Sequence, residues 1–230
     1  MTLYENITRR RSVRSYDMTV LDDTALTAIR EFIDNSVQMP GQYSRFEIVT
    51  GDKVKNEIAP YYILAYCDGS DCSYMNVGYM MQKTDLFLQS KGYGSLWLGM
   101  AKPNESDKDF CIMLAFGQTN VPMRQSIREF KRLPIGEISD IDNAVSQAAR
   151  LAPSAMNSQP WKLEFKESKV TIRYFGRGFS RLVLKKKLSK IDLGIATCHI
   201  ELALINEGKL IKSITPISNG KDLLVEIAYQ

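Results

Sequence analysis

Apolar residues recur at helical spacing in four segments of the chain. The two longest, 76–92 and 192–208, are apolar on most of their surface, which predicts two buried helices. Each begins with Asn or Asp, which can accept the free N–H groups of a first turn. Each ends at a glycine, which can adopt the left-handed conformation that stops a helix. Shorter amphipathic repeats predict further helices at 22–36 and 139–152.

Strand-like runs lie between these helices. They cover residues 45–49, 109–118, 162–166 and 222–230. Together with the helices they give the order helix, loop, strand, strand, long helix, strand, and this order occurs twice along the chain. The pattern therefore indicates two similar halves.

Residue pairs 116 positions apart support this interpretation. They are Gly78 with Gly194, Asp85 with Glu201, Leu88 with Leu204, and Gly92 with Gly208. We interpret the pattern as an internal duplication, with halves 1–118 and 119–230 forming one compact pseudo-dimer. Each half is predicted to pack helices against a mainly antiparallel sheet, which is an α+β architecture. The two long helices are predicted to bury each other at the centre.

Composition limits the class of partner. The 230 residues are 44% apolar, enough for a substantial core, and the formal net charge is only +4. Because no dense stripe of Lys and Arg accompanies that charge, a nucleic-acid partner is not expected. No apolar stretch reaches about eighteen residues and the first residues lack an apolar signal core, so we expect a cytoplasmic protein without membrane spans.

The cysteines and the histidine suggest no metal site. The four cysteines follow no zinc spacing and are expected to be reduced. The single histidine, His199, lies in an apolar helical segment and is expected to be a packing residue. A catalytic triad or metal cluster that uses any other histidine is therefore excluded.

A cluster of arginines near the N-terminus has no counterpart in the second half. Its candidate residues are Arg10, Arg11, Ser12 and Arg14. Guanidinium groups are permanently charged forked donors that suit a phosphate, and the serine hydroxyl adds another donor. The alternative is a basic helix end that faces water.

A polar loop is found only in the second half, in the segment "LAPSAMNSQPWKLEF" from Leu151 to Phe165. Two prolines restrict its backbone, and its candidate residues are Pro153, Ser154, Asn157 and Gln159. Uncharged donors and acceptors of this kind suit the edge of a heteroaromatic ring. The alternative is that Ser154 caps a turn and Trp161 fills the interior.

A third candidate is the glycine-containing segment "GYGSLWLGM" at 92–100. Its glycines would let the backbone approach a ligand, and N–H groups near Leu98 and Gly99 could then point at it. The alternative is an ordinary turn from helix to strand.

Together these segments resemble the flavin-dependent nitroreductase family. "RRRSVRSY" is similar to the phosphate-binding start of that family, and "APSAMNSQPWKLEF" to its most recognisable segment. Ordinary members carry both motifs in the first third of a subunit and build two flavin sites at a dimer interface. Here the motifs are about 140 positions apart. This arrangement resembles a branch in which one duplicated chain mimics the dimer.

The resemblance implies FMN as cofactor and assigns a role to each candidate residue. Arg10, Arg11, Ser12 and Arg14 would hold the phosphate and ribityl chain, with Arg132 as a further phosphate ligand. Pro153, Ser154, Asn157 and Gln159 would meet the flavin from the opposite half. Leu98 and Gly99 would supply a backbone contact near flavin N5. It implies no metal and no catalytic side chain, because the flavin carries the chemistry.

The implied reaction is hydride transfer from NAD(P)H through flavin N5 to a small conjugated acceptor, a nitroaromatic compound or a quinone. One FMN per chain is expected, with little need for a homodimer to complete the site. Little length remains for the helices that cover the flavin in ordinary members, so the acceptor stays open. The alternatives are a flavin-binding protein without turnover, and a protein that binds another phosphorylated ligand.

Overall fold

The computed structural model of the protein describes residues 1–55, 57–105, 107–177 and 187–230. Its α-helices are α1 (Leu3–Ile7), α2 (Asp23–Asp34), α3 (Asp71–Ser90), α4 (Ala144–Leu151) and α5 (Leu188–Asn206). Its strands are β1 (Arg45–Thr50), β2 (Tyr61–Tyr66), β3 (Gly94–Leu98), β4 (Phe110–Gly117), β5 (Trp161–Lys166), β6 (Lys169–Tyr174), β7 (Ile211–Ser218) and β8 (Leu223–Tyr229). Short 3₁₀ turns cover Gly51–Lys53, Ile127–Glu129, Ile135–Glu137 and Ala155–Asn157.

The strands form two four-stranded antiparallel sheets. Their orders are β1-β2-β4-β3 and β5-β6-β8-β7, so the second sheet repeats the arrangement of the first. Helices pack against both sheets, and the predicted α+β architecture is confirmed. The equal strand orders agree with a duplication, which itself remains a prediction.

The two long helices begin earlier than the sequence predicts. Helix α3 starts at Asp71, where Ser70 accepts a hydrogen bond from the N–H of Ser73 at 3.2 Å. Asn76 and Asp192 were predicted to start the helices, and both lie inside them. Their side chains accept hydrogen bonds from neighbouring loops, which explains polar residues at buried helical positions.

The predicted helix ends are confirmed. Gly92 and Gly208 follow the last residues of α3 and α5, with φ of +87° and +76°. These values lie in the left-handed region that glycine adopts without steric cost.

Helices α3 and α5 pack against each other more extensively than any other pair of helices in the described chain. A Cβ atom on Gly78 would lie 2.0 Å from the carbonyl oxygen of Ile191. A Cβ atom on Gly194 would lie 1.8 Å from the carbonyl oxygen of Met75. The two helices therefore touch backbone to backbone at their crossing, and each contact mirrors the other.

His199 lies in the middle of α5 and packs into the protein core, as predicted. It is fully buried, and its Nδ1 lies 2.9 Å from the carbonyl oxygen of Ala148, to which the neutral ring donates a hydrogen bond. Burial lowers the pKa of His199 to about 3, since a charged imidazole would lose its hydration. The ring therefore stays neutral at physiological pH.

The four cysteines are free thiols. In the described residues, no group of His, Cys, Asp and Glu side chains is arranged to hold a metal ion. The described helices also include none that is long and apolar enough to cross a bilayer.

Candidate functional site

A cavity of about 850 Å³ receives residues from both halves of the chain. Its apolar wall consists of Leu96, Trp97, Ile112, Leu188, Ile191 and Ile195. Its charged and polar lining consists of Arg10, Ser12, Arg14, Arg124, Glu129, Lys131, Arg132, Ser154, Asn157 and Asp192. The N-terminal arginines and the Asn157 loop, predicted to form one site, therefore line the same cavity.

Arg10 is anchored beneath α3 at one end of this cavity. The chain turns after α1, where the N–H of Arg10 bonds to the carbonyl oxygen of Asn6 at 2.8 Å. Its side chain is 2% exposed, and its Nε donates to Oδ2 of Asp85 at 2.9 Å. Its Nη2 is buried and has no hydrogen-bond partner among the described residues. That nitrogen is therefore a donor still available to a ligand.

Two further arginines come from the segment between β4 and α4. Arg124 donates to the carbonyl oxygen of Arg10, and its guanidinium lies 4.1 Å from the centre of the Phe130 ring. Arg132 donates from Nη1 to Oδ1 of Asn157 at 2.7 Å and from Nη2 to the carbonyl oxygen of Leu151 at 3.1 Å. Arg132 Nε is buried without a partner in the described chain.

Burial and mutual repulsion act on these guanidinium groups. Burial, and then the charges of Arg10 and Arg124, lower the pKa of Arg132 to about 9. The pKa of Arg124 is lowered by burial and by its neighbours Arg10 and Arg11. Cations held this close are stabilised by an anion, so this end of the cavity suits a phosphate.

The other residues of the N-terminal motif differ in position. Ser12 pairs with Ser95 in an isolated parallel β-bridge and lines the cavity. Arg14 also lines the cavity, and its side chain is exposed. Arg11 does not line it, because its Nη2 pairs with Oε2 of Glu129 at 2.7 Å. Glu129 itself lines the cavity, so Arg11 lies behind this carboxylate and affects the cavity through its charge.

The loop after α4 has a constrained backbone. Met156, Asn157 and Gln159 have φ of 53°, 54° and 45°, which is uncommon for residues other than glycine. Hydrogen bonds hold this conformation: the N–H of Gln159 donates to Ser154 Oγ at 2.9 Å, and Asn157 Nδ2 donates to the carbonyl oxygen of Lys131 at 2.7 Å. The loop is therefore rigid before a ligand binds.

The predicted loop residues take two roles. Pro153, Ser154 and Asn157 line the cavity. Gln159 does not, because it is fully buried and its Oε1 accepts the N–H of Leu133 at 3.2 Å. Gln159 therefore stabilises the loop from the protein interior, on the side away from the cavity.

The segment after β3 contributes one of its two candidates. Gly99 lines the cavity, and a Cβ atom placed there would lie 3.2 Å from Leu188. Leu98 does not line it and packs instead beside the smaller core cluster around Val54 and Leu64.

Asp192 is a cavity residue that the sequence interpretation placed at a helix start. Its Oδ1 accepts the N–H of Ala155 at 3.0 Å, and its Oδ2 is buried without a partner among the described residues. Burial raises the pKa of Asp192 to about 8, opposed in part by the hydrogen bond from Ala155. Asn76 occupies the position 116 residues earlier and accepts the N–H of Met39 at 2.8 Å. The correspondence of Asp192 with Asn76 at a spacing of 116 residues was the sequence signal that could have identified this position.

Other lining residues carried no recognisable motif. Arg124, Glu129 and Lys131 lie in the largely irregular segment between β4 and α4, and their relation to the cavity depends on how that segment folds. Met100 and Met156 form an exposed apolar part of the lining, 88% and 72% exposed.

Comparison with known proteins identifies the family. A family model described as "Putative TM nitroreductase" matches residues 2–204. The chain belongs to this nitroreductase family. No curated protein matches its sequence.

Solved structures of nitroreductase family proteins are similar to this chain, and the first of them shares its fold. The chain is similar to a Thermotoga maritima protein described as a "putative nitroreductase", with 21% identity, 99% of this chain and 94% of that chain covered, and a TM-score of 0.70. A nitroreductase family protein of Clostridium difficile 630 has 17% identity, covers 60% of this chain and 96% of its own, and has a TM-score of 0.50. A Desulfovibrio desulfuricans protein, solved in complex with FMN, has 17% identity, a TM-score of 0.47, and coverage of 62% and 98%.

Proposed function

We propose that this nitroreductase family member is an FMN-dependent oxidoreductase that passes hydride from NAD(P)H to a small conjugated acceptor, a nitroaromatic compound or a quinone. The observation that carries the proposal is the shared cavity, to which the arginine segment and the Asn157 loop both contribute. Its volume of about 850 Å³ lies within the range of sites that bind organic cofactors.

One end of the cavity fits the phosphate of FMN. Buried donors without a partner in the described chain, Arg10 Nη2 and Arg132 Nε, lie beside the guanidinium of Arg124. Arg14 and Ser12 extend the same lining. A phosphate would bond to the free donors and relieve the repulsion between the cations.

The rest of the cavity fits a flat ring. Leu188, Ile191 and Ile195 present apolar side chains from α5, and the 153–157 loop supplies uncharged polar groups. Apolar walls with a few fixed polar groups are typical of sites for planar cofactors. The left-handed loop conformation keeps these groups in place without a bound ligand.

In this function the chain's own residues bind and orient. Bound FMN would supply hydride acceptance and donation at N5. The arginines would hold the phosphate end, and the apolar residues of α5 would exclude water from one ring face. Met100 and Met156 are the exposed part of the cavity lining, beside which nicotinamide and acceptor would enter in turn. No side chain is assigned as an acid or base.

One FMN per chain is expected. In the first half, the loop opposite Asn76 satisfies its own polar groups: Asn76 Nδ2 donates to Gln38 Oε1 at 2.7 Å and to Ser44 Oγ at 2.9 Å. In the second half, Asp192 Oδ2 is left without such partners among the described residues. Because both halves of one chain line the cavity, a monomer can complete the site.

The test starts with the visible spectrum of the purified protein, before and after FMN addition. Flavin released by denaturation is then quantified, and about one per chain is expected. Anaerobic bleaching near 450 nm is followed with NADH and with NADPH, and then reoxidation by a quinone or nitroaromatic compound. Bleaching no faster than that of free FMN would favour a flavin-binding protein without turnover. Failure to bind FMN would favour the alternative that the protein binds another phosphorylated ligand.

A further inference from the structure

Asp192 lies in the second turn of α5 and is 3% exposed. One carboxyl oxygen holds the 153–157 loop through the N–H of Ala155 at 3.0 Å. The other, Oδ2, belongs to a residue that lines the cavity and has no hydrogen-bond partner in the described part of the chain. A buried polar atom without a partner is uncommon and requires an explanation.

The described surroundings of this carboxyl group include no cation bonded to it. Its neighbours in the cavity, Leu188, Ile191 and Ile195, are apolar. The charged residues that line the same cavity are Arg10, Arg14, Arg124, Glu129, Lys131 and Arg132. On its own helix, Lys190 is paired with Asp71 of α3. None of these groups is bonded to Asp192 among the described contacts, and an unpaired buried carboxylate is costly.

The first half shows what the same position does with an amide. Asn76 accepts the N–H of Met39 through Oδ1 and donates through Nδ2 to Gln38 and Ser44. Asp192 repeats the first bond with Ala155. Its second oxygen corresponds to the donating nitrogen of Asn76, but it is buried without a partner among the described residues, on a side chain that lines the cavity.

We propose that Asp192 is a cofactor-binding residue: as a neutral acid it donates a hydrogen bond from Oδ2 to an acceptor atom of the isoalloxazine ring, while Oδ1 anchors the loop. This rests on the proposed FMN function. Its hydrogen bond to the 153–157 loop and its apolar cavity neighbours Leu188, Ile191 and Ile195 place Asp192 toward the ring end of the cofactor.

The experiment measures FMN affinity by fluorescence titration between pH 7 and pH 9, for the wild type and Asp192→Asn. Because the pKa of Asp192 is raised to about 8, ionisation should weaken wild-type binding about tenfold over this range. Asn keeps an acceptor and a donor at the same atoms and does not titrate, so its affinity at pH 7 should match and should lack this step. Titration of Arg132 or of FMN affects both proteins and cancels in their ratio.

A second pair of variants tests the hydrogen bond directly. Asp192→Leu should lose roughly tenfold in FMN affinity at pH 7, since a buried ring acceptor would be left unpaired. Asn76→Leu is the matched control, because it removes the equivalent loop anchor but not a cavity residue. If Asp192→Leu does not fold, the pH comparison with Asp192→Asn decides alone.

The outcomes separate the two proposals. A wild-type protein that binds FMN, with a constant ratio to Asp192→Asn across the pH range, overturns the role of Asp192 and leaves the proposed function intact. Unchanged affinity in a folded Asp192→Leu variant does the same. A wild type that does not bind FMN overturns both.

Discussion

Replacing Arg10 by Met should destabilise the protein strongly even when no flavin is present. The Arg10 and Asp85 side chains are 2% and 0% exposed and meet at 2.9 Å. Gln82 Nε2 and Gln89 Nε2 also donate to this carboxylate, each at 3.0 Å, and Ser95 donates to it as well. Methionine fills similar space but leaves the Asp85 charge buried without its cation.

The expected loss in free energy of unfolding is about 3–5 kcal/mol, the usual result of removing one partner from a buried ion pair. For a chain of this size, that corresponds to a fall in Tm of roughly 10 °C. Lys169 and Glu226 offer a matched control, since they also pair at 2.9 Å but are each 34% exposed. Lys169→Met should cost no more than about 1 kcal/mol.

Urea denaturation of the flavin-free protein, followed by circular dichroism, measures both losses. The Arg10→Met, Asp85→Asn double variant should lose less than the sum of the two single variants, because it leaves no unpaired charge. If Arg10→Met costs no more than Lys169→Met, the buried pair does not stabilise the fold as argued. Loss of FMN affinity in an Arg10 variant would then report phosphate binding alone.

Three further outcomes are expected. Arg14→Ala removes an exposed guanidinium from the cavity lining and should weaken FMN affinity about fivefold. Arg30→Ala, at an exposed position on α2 outside the cavity, should leave FMN affinity unchanged. Equal losses of affinity would indicate a general charge effect. In the unfolded state His199 is protonated near pH 6.5, whereas in the folded state it is protonated only near pH 3. Acidification from pH 6.5 to 4 should therefore lower the free energy of unfolding of the wild type by up to about 3 kcal/mol more than that of His199→Gln. Equal losses in the two proteins would contradict this. Gly194→Ala should lower the free energy of unfolding by roughly 2 kcal/mol because its Cβ would meet backbone, whereas Gly136→Ala meets nothing within 4 Å; equal denaturation midpoints would refute the close crossing.

Periodicity and glycine stops were enough to predict the long helices and their ends. The starts were wrong because Asn76 and Asp192 look like caps in sequence, whereas each bonds to a loop far along the chain. Local propensity carries no information about such distant partners. The true cap, Ser70, precedes a first turn with few apolar residues and was therefore overlooked.

The residues that line the candidate site were predictable from sequence where they belong to a short motif. The arginine segment and the Pro153–Asn157 loop line one cavity because each is a local structure carried by its own half. Arg124 was missed because an irregular connection positions it. Arg11 and Gln159 have the right chemistry, but their side chains are used by Glu129 and Leu133.

The contact of Gly78 and Gly194 with the opposite helix limits how the protein can tolerate change. No layer of side chains separates the helices there, so no rotamer adjustment can absorb an added methyl group. An alanine at one glycine cannot be relieved by shrinking a neighbour, because the obstacle is main chain. The same contact prevents the two helices from sliding past each other. Any widening of the cavity to admit a ligand is therefore expected from elements other than this helix pair.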